Sequence, residues 1–164
     1  MSNAYKIKLL LVDDEVKFLQ SIAKRLELKD FEVTTATTGE AAIACAEKGL
    51  FDVAVVDFQM PGMDGAQVLK TLKEKHKYLE ILMLTGHATV DSAVECTKLG
   101  AFQYLEKPYE FEKLVEVITA AYQERLNKKF EHNQKRMDEI QKLSFGSSPL
   151  GLLRALSRLD NEEK

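Results

Sequence analysis

Val53-Ala54-Val55-Val56-Asp57-Phe58-Gln59-Met60-Pro61-Gly62-Met63-Asp64-Gly65 is the stretch that decides the fold. It begins as a short, continuously apolar, β-branched run, which suits a strand buried on both faces of a parallel sheet. The run ends at one carboxylate. Pro61-Gly62 then supplies turn chemistry, and Asp64 is placed to accept from free amides in the first turn of a following helix. In an open α/β sheet, chemistry gathers beyond the carboxyl ends of the strands. Asp57 stands at such an end and is the candidate reactive centre.

Working outward, the same grammar recurs. Lys6 to Val12 is an apolar strand ending in Asp13-Asp14-Glu15, and Val16, Leu19, Ile22, Ala23 and Leu26 mark an amphipathic helix behind it. Phe31 to Ala36 reads as a less apolar, edge-type strand. Thr38 is placed to cap a helix that carries Ala42, Ile43 and Ala46 inward and stops at Gly49 in a left-handed conformation. A third helix spans Asp64 to Lys75. Ile81 to Leu84 is a buried strand ending at Thr85-Gly86, and a helix from about Thr89 to Leu99 stops at Gly100. Phe102 to Glu106 is the last strand, followed by Lys107-Pro108 and a helix from about Glu110. Strands alternating with helices through short connections predict an α/β, doubly wound, five-stranded parallel sheet, flavodoxin-like, in the order 2-1-3-4-5.

The bulk properties set bounds. A chain of 164 residues with formal charge −3 and 45% apolar residues has the composition of an ordinary globular protein. No bulk charge points to nucleic acid, no run reaches membrane-spanning length, and no signal-type segment opens the chain, so the expected location is cytoplasmic. Cys45 and Cys96 lack metal-type spacing and read as buried, reduced thiols.

Parallel strands bring the polar terminators to one edge: Asp13 and Asp14, Asp57, Thr85 and Lys107. Three close carboxylates repel one another and need a cation, and all-oxygen ligation favours Mg²⁺. Lys107 offers a mobile point charge and Thr85 a hydroxyl to an anionic ligand. Together this is equipment for phosphoryl transfer, with Asp57 as nucleophile. Each residue alone has a plainer role: turn former, helix cap, loop hydroxyl or solvated charge.

Leu10-Leu11-Val12-Asp13-Asp14-Glu15, Val55 to Gly65, Leu84-Thr85-Gly86-His87 and Tyr104-Leu105-Glu106-Lys107-Pro108 resemble the receiver domain of bacterial two-component response regulators. The resemblance covers residues 5 to about 124. It implies that Asp57 is the phosphoacceptor and that Asp14, Asp57 and the Gln59 backbone carbonyl ligate Mg²⁺, with Asp13 acting through water. It further implies that Thr85 and Lys107 contact the phosphoryl group, that Tyr104 is a switch aromatic, and that Lys107–Pro108 is cis. The implied partner is a histidine kinase or a phosphotransfer protein, and the implied role is a signalling phosphoacceptor rather than a turnover enzyme. Gln59, Gly86 and His87 fall where the family varies and tunes dephosphorylation, with His87 read as an exposed loop side chain.

Beyond about Ala121 the pattern changes. Glu124–Lys128, Glu131–Lys135 and Asp138–Lys142 are i,i+4 pairs with the acid first. Leu126, Phe130, Met137 and Ile140 recur at near-heptad spacing, with Asn133 in the gap. These predict that the last receiver helix extends over 125–143, protrudes, and supports a homodimer. Residues 144–164 are expected to form a flexible linker, Ser144 to Gly151, and a short docking helix with Leu152, Leu153, Leu156 and Leu159 on one face. Acids interleave with the bases of the extension, unlike a nucleic-acid patch. Output is then through protein contacts if the chain is complete; in a truncated chain the missing part decides. Two rival readings stand beside this one. A haloacid-dehalogenase-type phosphatase would need a second acid where the chain has Gln59, and a degenerate receiver used as a scaffold would not need the intact acidic set.

Overall fold

The structure is a computed structural model of the chain, in which residues 5–87, 89–144 and 149–162 are described. The elements are β1 (Lys8–Val12), α1 (Val16–Leu28), β2 (Glu32–Ala36), α2 (Gly39–Lys48), β3 (Val53–Asp57), α3 (Gly65–Lys75), β4 (Glu80–Thr85), α4 (Val90–Lys98), β5 (Gln103–Glu106), α5 (Phe111–Ser144) and α6 (Pro149–Glu162). The sheet is wholly parallel, in the order β2-β1-β3-β4-β5.

Every residue of β3 and β4 is buried, as their unbroken apolar runs require between two helical layers. β2 has an edge position and mostly exposed side chains. Strand alternation sorts the core into two halves. Leu9, Leu11, Val53, Val55, Leu82 and Leu84 face α1 and the first turns of α5, where they meet Leu19, Leu26, Leu114 and Ile118. Leu10, Val12, Ala54, Val56, Ile81 and Met83 face α2, α3 and α4.

The caps follow the sequence closely. Thr38 accepts from the Ala41 amide at 3.0 Å. Asp64 accepts from the Gln67 amide at 2.9 Å while the Gln67 side chain accepts from the Asp64 amide at 3.1 Å. Such a reciprocal cap stabilises a helix start by roughly 1 kcal/mol. It also fixes where α3 begins, directly behind Asp57. A Cβ on Gly65 would come within 2.6 Å of the Phe58 Cα and would strike the Asp57 carbonyl oxygen. Only glycine lets α3 pack this closely on the backbone that carries Asp57.

Four expectations need correction. Gly49 is extended (φ −137°, ψ 167°) rather than left-handed, because the chain turns straight toward β3 after its amide bonds to Cys45. Val16 is 48% exposed, since it occupies the first position of α1, above the sheet edge. Cys45 is only half-buried, although Cys96 is fully enclosed and both thiols are free. The expected linker is shorter: Ser144 still belongs to α5, and Pro149 opens α6, a position where a missing amide hydrogen costs nothing. Residues 145–148 and the side chains of Leu152 and Leu159 lie outside the described residues.

The chain divides into two units, Met1–Arg125 and Leu126–Lys164. At the amino-terminal edge of the first unit's sheet, Asp52 is buried and heavily engaged. It accepts from Arg125 Nε at 3.0 Å, from the Lys8 amide at 2.9 Å and from the Tyr5 hydroxyl at 2.9 Å. Arg125 also donates to the Tyr78 carbonyl at 2.7 Å. In the second unit, Leu126, Phe130 and Met137 are 40%, 64% and 55% exposed, and Leu150 and Leu153 are exposed as well.

Candidate functional site

Register explains why the polar terminators meet. The last ladder pairs are Val12 with Val56, Asp57 with Leu84, and Thr85 with Glu106. Asp13 therefore follows directly after the partner of Val56 and lies beside Asp57. Thr85 follows the partner of Asp57, and Lys107 follows the partner of Thr85. Main-chain bonds continue the ladder past the strand ends, from the Phe58 amide to the Leu84 carbonyl and from the Lys107 amide to the Thr85 carbonyl, both at 2.7 Å. The site is an extension of the sheet's carboxyl edge.

Asp13, Asp14 and Asp57 each direct a carboxylate oxygen to one place, all within 4.8 Å of one another. Asp13 and Asp57 are buried and Asp14 is exposed, so the cluster opens to solvent on one side. Lys107 Nζ lies 3.0 Å from Asp13 Oδ2 and 3.8 Å from Asp57 Oδ2. It also sits 4.7 Å above the centre of the Phe18 ring. The lysine is thus already anchored by Asp13 and an aromatic face, where the sequence suggested a mobile charge. Lys107–Pro108 is cis.

The electrostatics show the strain of the cluster. The Asp57 carboxyl is pushed up from 3.8 to about 6, chiefly by burial. Lys107 opposes the rise, Asp13 adds to it, the Gln59 amide opposes it through a 3.4 Å bond to Oδ1, and Asp14 adds a little more. One lysine does not neutralise three carboxylates, so a divalent cation fits this donor set. The all-oxygen chemistry and the open side suit a hard ion that keeps some of its water.

The remaining residues fall around this centre. Gln59 lies two residues past Asp57, with its amide directed at the carboxylate. Thr85 is fully buried, and its Oγ1 accepts from the His87 amide at 3.2 Å. His87 itself is exposed. Tyr104 is half-buried; it pairs with Met83 and so shares the sheet face of Thr85, two residues further along β4. Its hydroxyl is 2.9 Å from the Ser92 Oγ of α4.

Other features near the site carry no signal in the sequence. Ser92 carries no local signal beyond its place in a helix start. A cleft of about 460 Å³ flanks Lys107, lined by Phe18, Ile22, Arg25, Tyr109 and Phe111 among others. In it Arg25 stacks 4.0 Å from the Phe111 ring centre. Burial pushes the Tyr109 phenol up to about 12.

The response regulator receiver domain family matches residues 9–119. Response regulator protein FleR of Pseudomonas aeruginosa is 33% identical over 111 residues, covering 68% of this chain and 24% of FleR. Transcriptional regulatory protein ZraR of Salmonella typhimurium is 33% identical over 163 residues, covering 96% of this chain and 34% of ZraR. The chain therefore spans about a quarter to a third of the length of these relatives. Among solved structures, a response regulator receiver domain protein from Clostridium thermocellum superimposes with a TM-score of 0.70 at 32% identity, over 73% of this chain and 96% of that one.

Proposed function

The chain belongs to the response regulator receiver family, and from that premise we propose how its own residues carry the signal. Asp57 attacks the phosphorus of a phosphohistidine on a histidine kinase or phosphotransfer protein. A carboxylate oxygen–phosphorus bond forms, the phosphorus–imidazole bond breaks, and the imidazole leaves with its electron pair. Asp13, Asp14, Asp57 and the Gln59 carbonyl would hold Mg²⁺, which when bound offsets the negative charge of both the carboxylates and the incoming group. Lys107 gives up part of its hold on Asp13 and pairs with a phosphoryl oxygen. Thr85 donates its hydroxyl to another. Convergence of the three carboxylates within 4.8 Å, beside Lys107, is the observation that carries this reading. The phosphatase reading loses its footing at Gln59, which cannot serve as a second acid.

The phosphoryl group adds about −1.5 to −2 charges and three acceptors. Thr85 moves toward it, Tyr104 turns into the space that Thr85 leaves, and the surface of α4, β5 and α5 changes. A full reversal of such an equilibrium, from 1:99 to 99:1, takes about 5.5 kcal/mol of differential stabilisation. Residues 5–124 form the phosphoacceptor unit, the rest of α5 to Ser144 a helical extension, and α6 (Pro149–Glu162) a docking segment. A homodimer through α5 covers Leu126, Phe130 and Met137, three exposed apolar side chains at near-heptad spacing. The protein works in the cytoplasm, turns over no substrate besides its own phosphoryl group, and signals through protein contacts.

Intact mass after incubation with acetyl phosphate and Mg²⁺ tests the reading. A slowly decaying adduct of about +80 Da, one phosphoryl group, is expected in the wild type and absent in Asp57→Asn. Continuous release of phosphate without an adduct would return the phosphatase, and no reaction at all would return the scaffold.

A further inference from the structure

We propose that the Ser92 hydroxyl is a positioning latch that holds Tyr104 in its half-buried position and ties the ring to the amino-terminal cap of α4. The proposal rests on the phosphoacceptor reading above and adds to it a residue that opposes switching.

The Ser92 hydroxyl has one proton and two lone pairs. Four polar groups lie around it. It donates to the Thr89 carbonyl at 3.0 Å. The Thr89 amide donates to it at 3.2 Å and the Thr89 hydroxyl at 2.9 Å. The Tyr104 hydroxyl is the fourth, at 2.9 Å. Ser92 thus has three hydrogen-bonding positions for four partners, whichever of the two hydroxyls donates between Ser92 and Tyr104. Tyr104 and Thr89 therefore compete for the same oxygen.

That competition couples two elements. While Tyr104 stands where it does here, it occupies a position on that hydroxyl that a Thr89 group would otherwise hold. The capping box still stands, because Thr89 Oγ1 accepts from the Ser92 amide at 3.0 Å, but its reciprocal half is shared. When the ring turns toward Thr85, that position returns to Thr89 and the first turn of α4 tightens. The latch stabilises the unphosphorylated arrangement, and its release is felt at α4. Ser92 acts on the switch only through Tyr104 and touches no reacting atom.

Titration of the full chain with beryllofluoride in the presence of Mg²⁺, followed by NMR of the Tyr104 ring and the Val90–Ala93 amides, tests this. A net neutral hydrogen bond corresponds to roughly a fivefold change in an equilibrium. Ser92→Ala is expected to lower the half-saturating concentration by about fivefold, and Tyr104→Phe, which keeps both capping side chains of α4, by a similar factor. The double variant should match the singles rather than their product, since both remove the same Ser92–Tyr104 bond. Ser92→Thr, which keeps a hydroxyl, should return the wild-type value. Unchanged half-saturation in Ser92→Ala, with the wild type responding normally, would overturn the latch alone. A wild type that never responds would overturn the phosphoacceptor reading and the latch with it.

Discussion

Asp57→Asn is expected to stabilise the metal-free protein at neutral pH, because the site is built against its own fold. In the folded chain the Asp57 carboxyl titrates at about 6, against an ordinary 3.8, with burial the main cause. A carboxyl raised in this way contributes stability that is fully present below 3.8 and is lost as the pH rises through about 6. The difference corresponds to about 3 kcal/mol at pH 7.5. An asparagine has the same shape and no charge, so it avoids most of that loss. Urea unfolding with a chelator at pH 4.5 and pH 7.5 measures it. The variant should gain roughly 1–3 kcal/mol over the wild type at the higher pH and far less at the lower. Adding Mg²⁺ should then stabilise the wild type more than the variant, since a ligand that binds only the folded state raises its stability. A wild type as stable as the variant at pH 7.5 in chelator, with no dependence of the gap on pH, would refute the reasoning.

Gly65→Ala places a methyl group against the main chain of Asp57 and Phe58; a loss of roughly 2–3 kcal/mol in urea unfolding and slower phosphorylation of Asp57 are expected. Arg125→Met leaves Asp52 buried without its guanidinium, although the Lys8 amide and Tyr5 hydroxyl remain. Thermal and urea unfolding should show a loss of roughly 3 kcal/mol, which Asp52→Asn combined with Arg125→Met partly restores. Phe130→Glu with Met137→Glu charges the exposed apolar stripe of α5; at one concentration, sedimentation is expected to report a dimer for the wild type and a monomer for the variant.

The sheet and the acidic centre were legible because each depends on a local signal. An apolar run of strand length ended by a polar residue marks both a buried strand and what stands at its carboxyl edge, and parallel order brings those ends together. Asp13, Asp57, Thr85 and Lys107 all lie at the last ladder pair or directly after it. The far end of α5 was legible too, since its i,i+4 pairs need no tertiary partner. What escaped depends on distant packing. Asp52 and Arg125 are 73 residues apart and Ser92 and Tyr104 are 12 apart, and neither pair has a pattern that announces the other. The anchoring of Lys107 on Asp13 and Phe18 likewise required the fold, because it joins the first and last strands' loops around α1. Gly49 shows the reverse limit: a glycine after a helix suggested a left-handed stop, yet the path to β3 called for an extended residue.

The central claim is that one aspartate, and no other acid of the cluster, takes the phosphoryl group. Borohydride reduces an acyl phosphate to an alcohol, so trapping after exposure to acetyl phosphate and Mg²⁺ converts the modified aspartate to homoserine. Peptide mapping should find homoserine at position 57 alone. Homoserine at position 13, 14 or 52, or a protein that is phosphorylated yet unmodified at 57, would contradict the account.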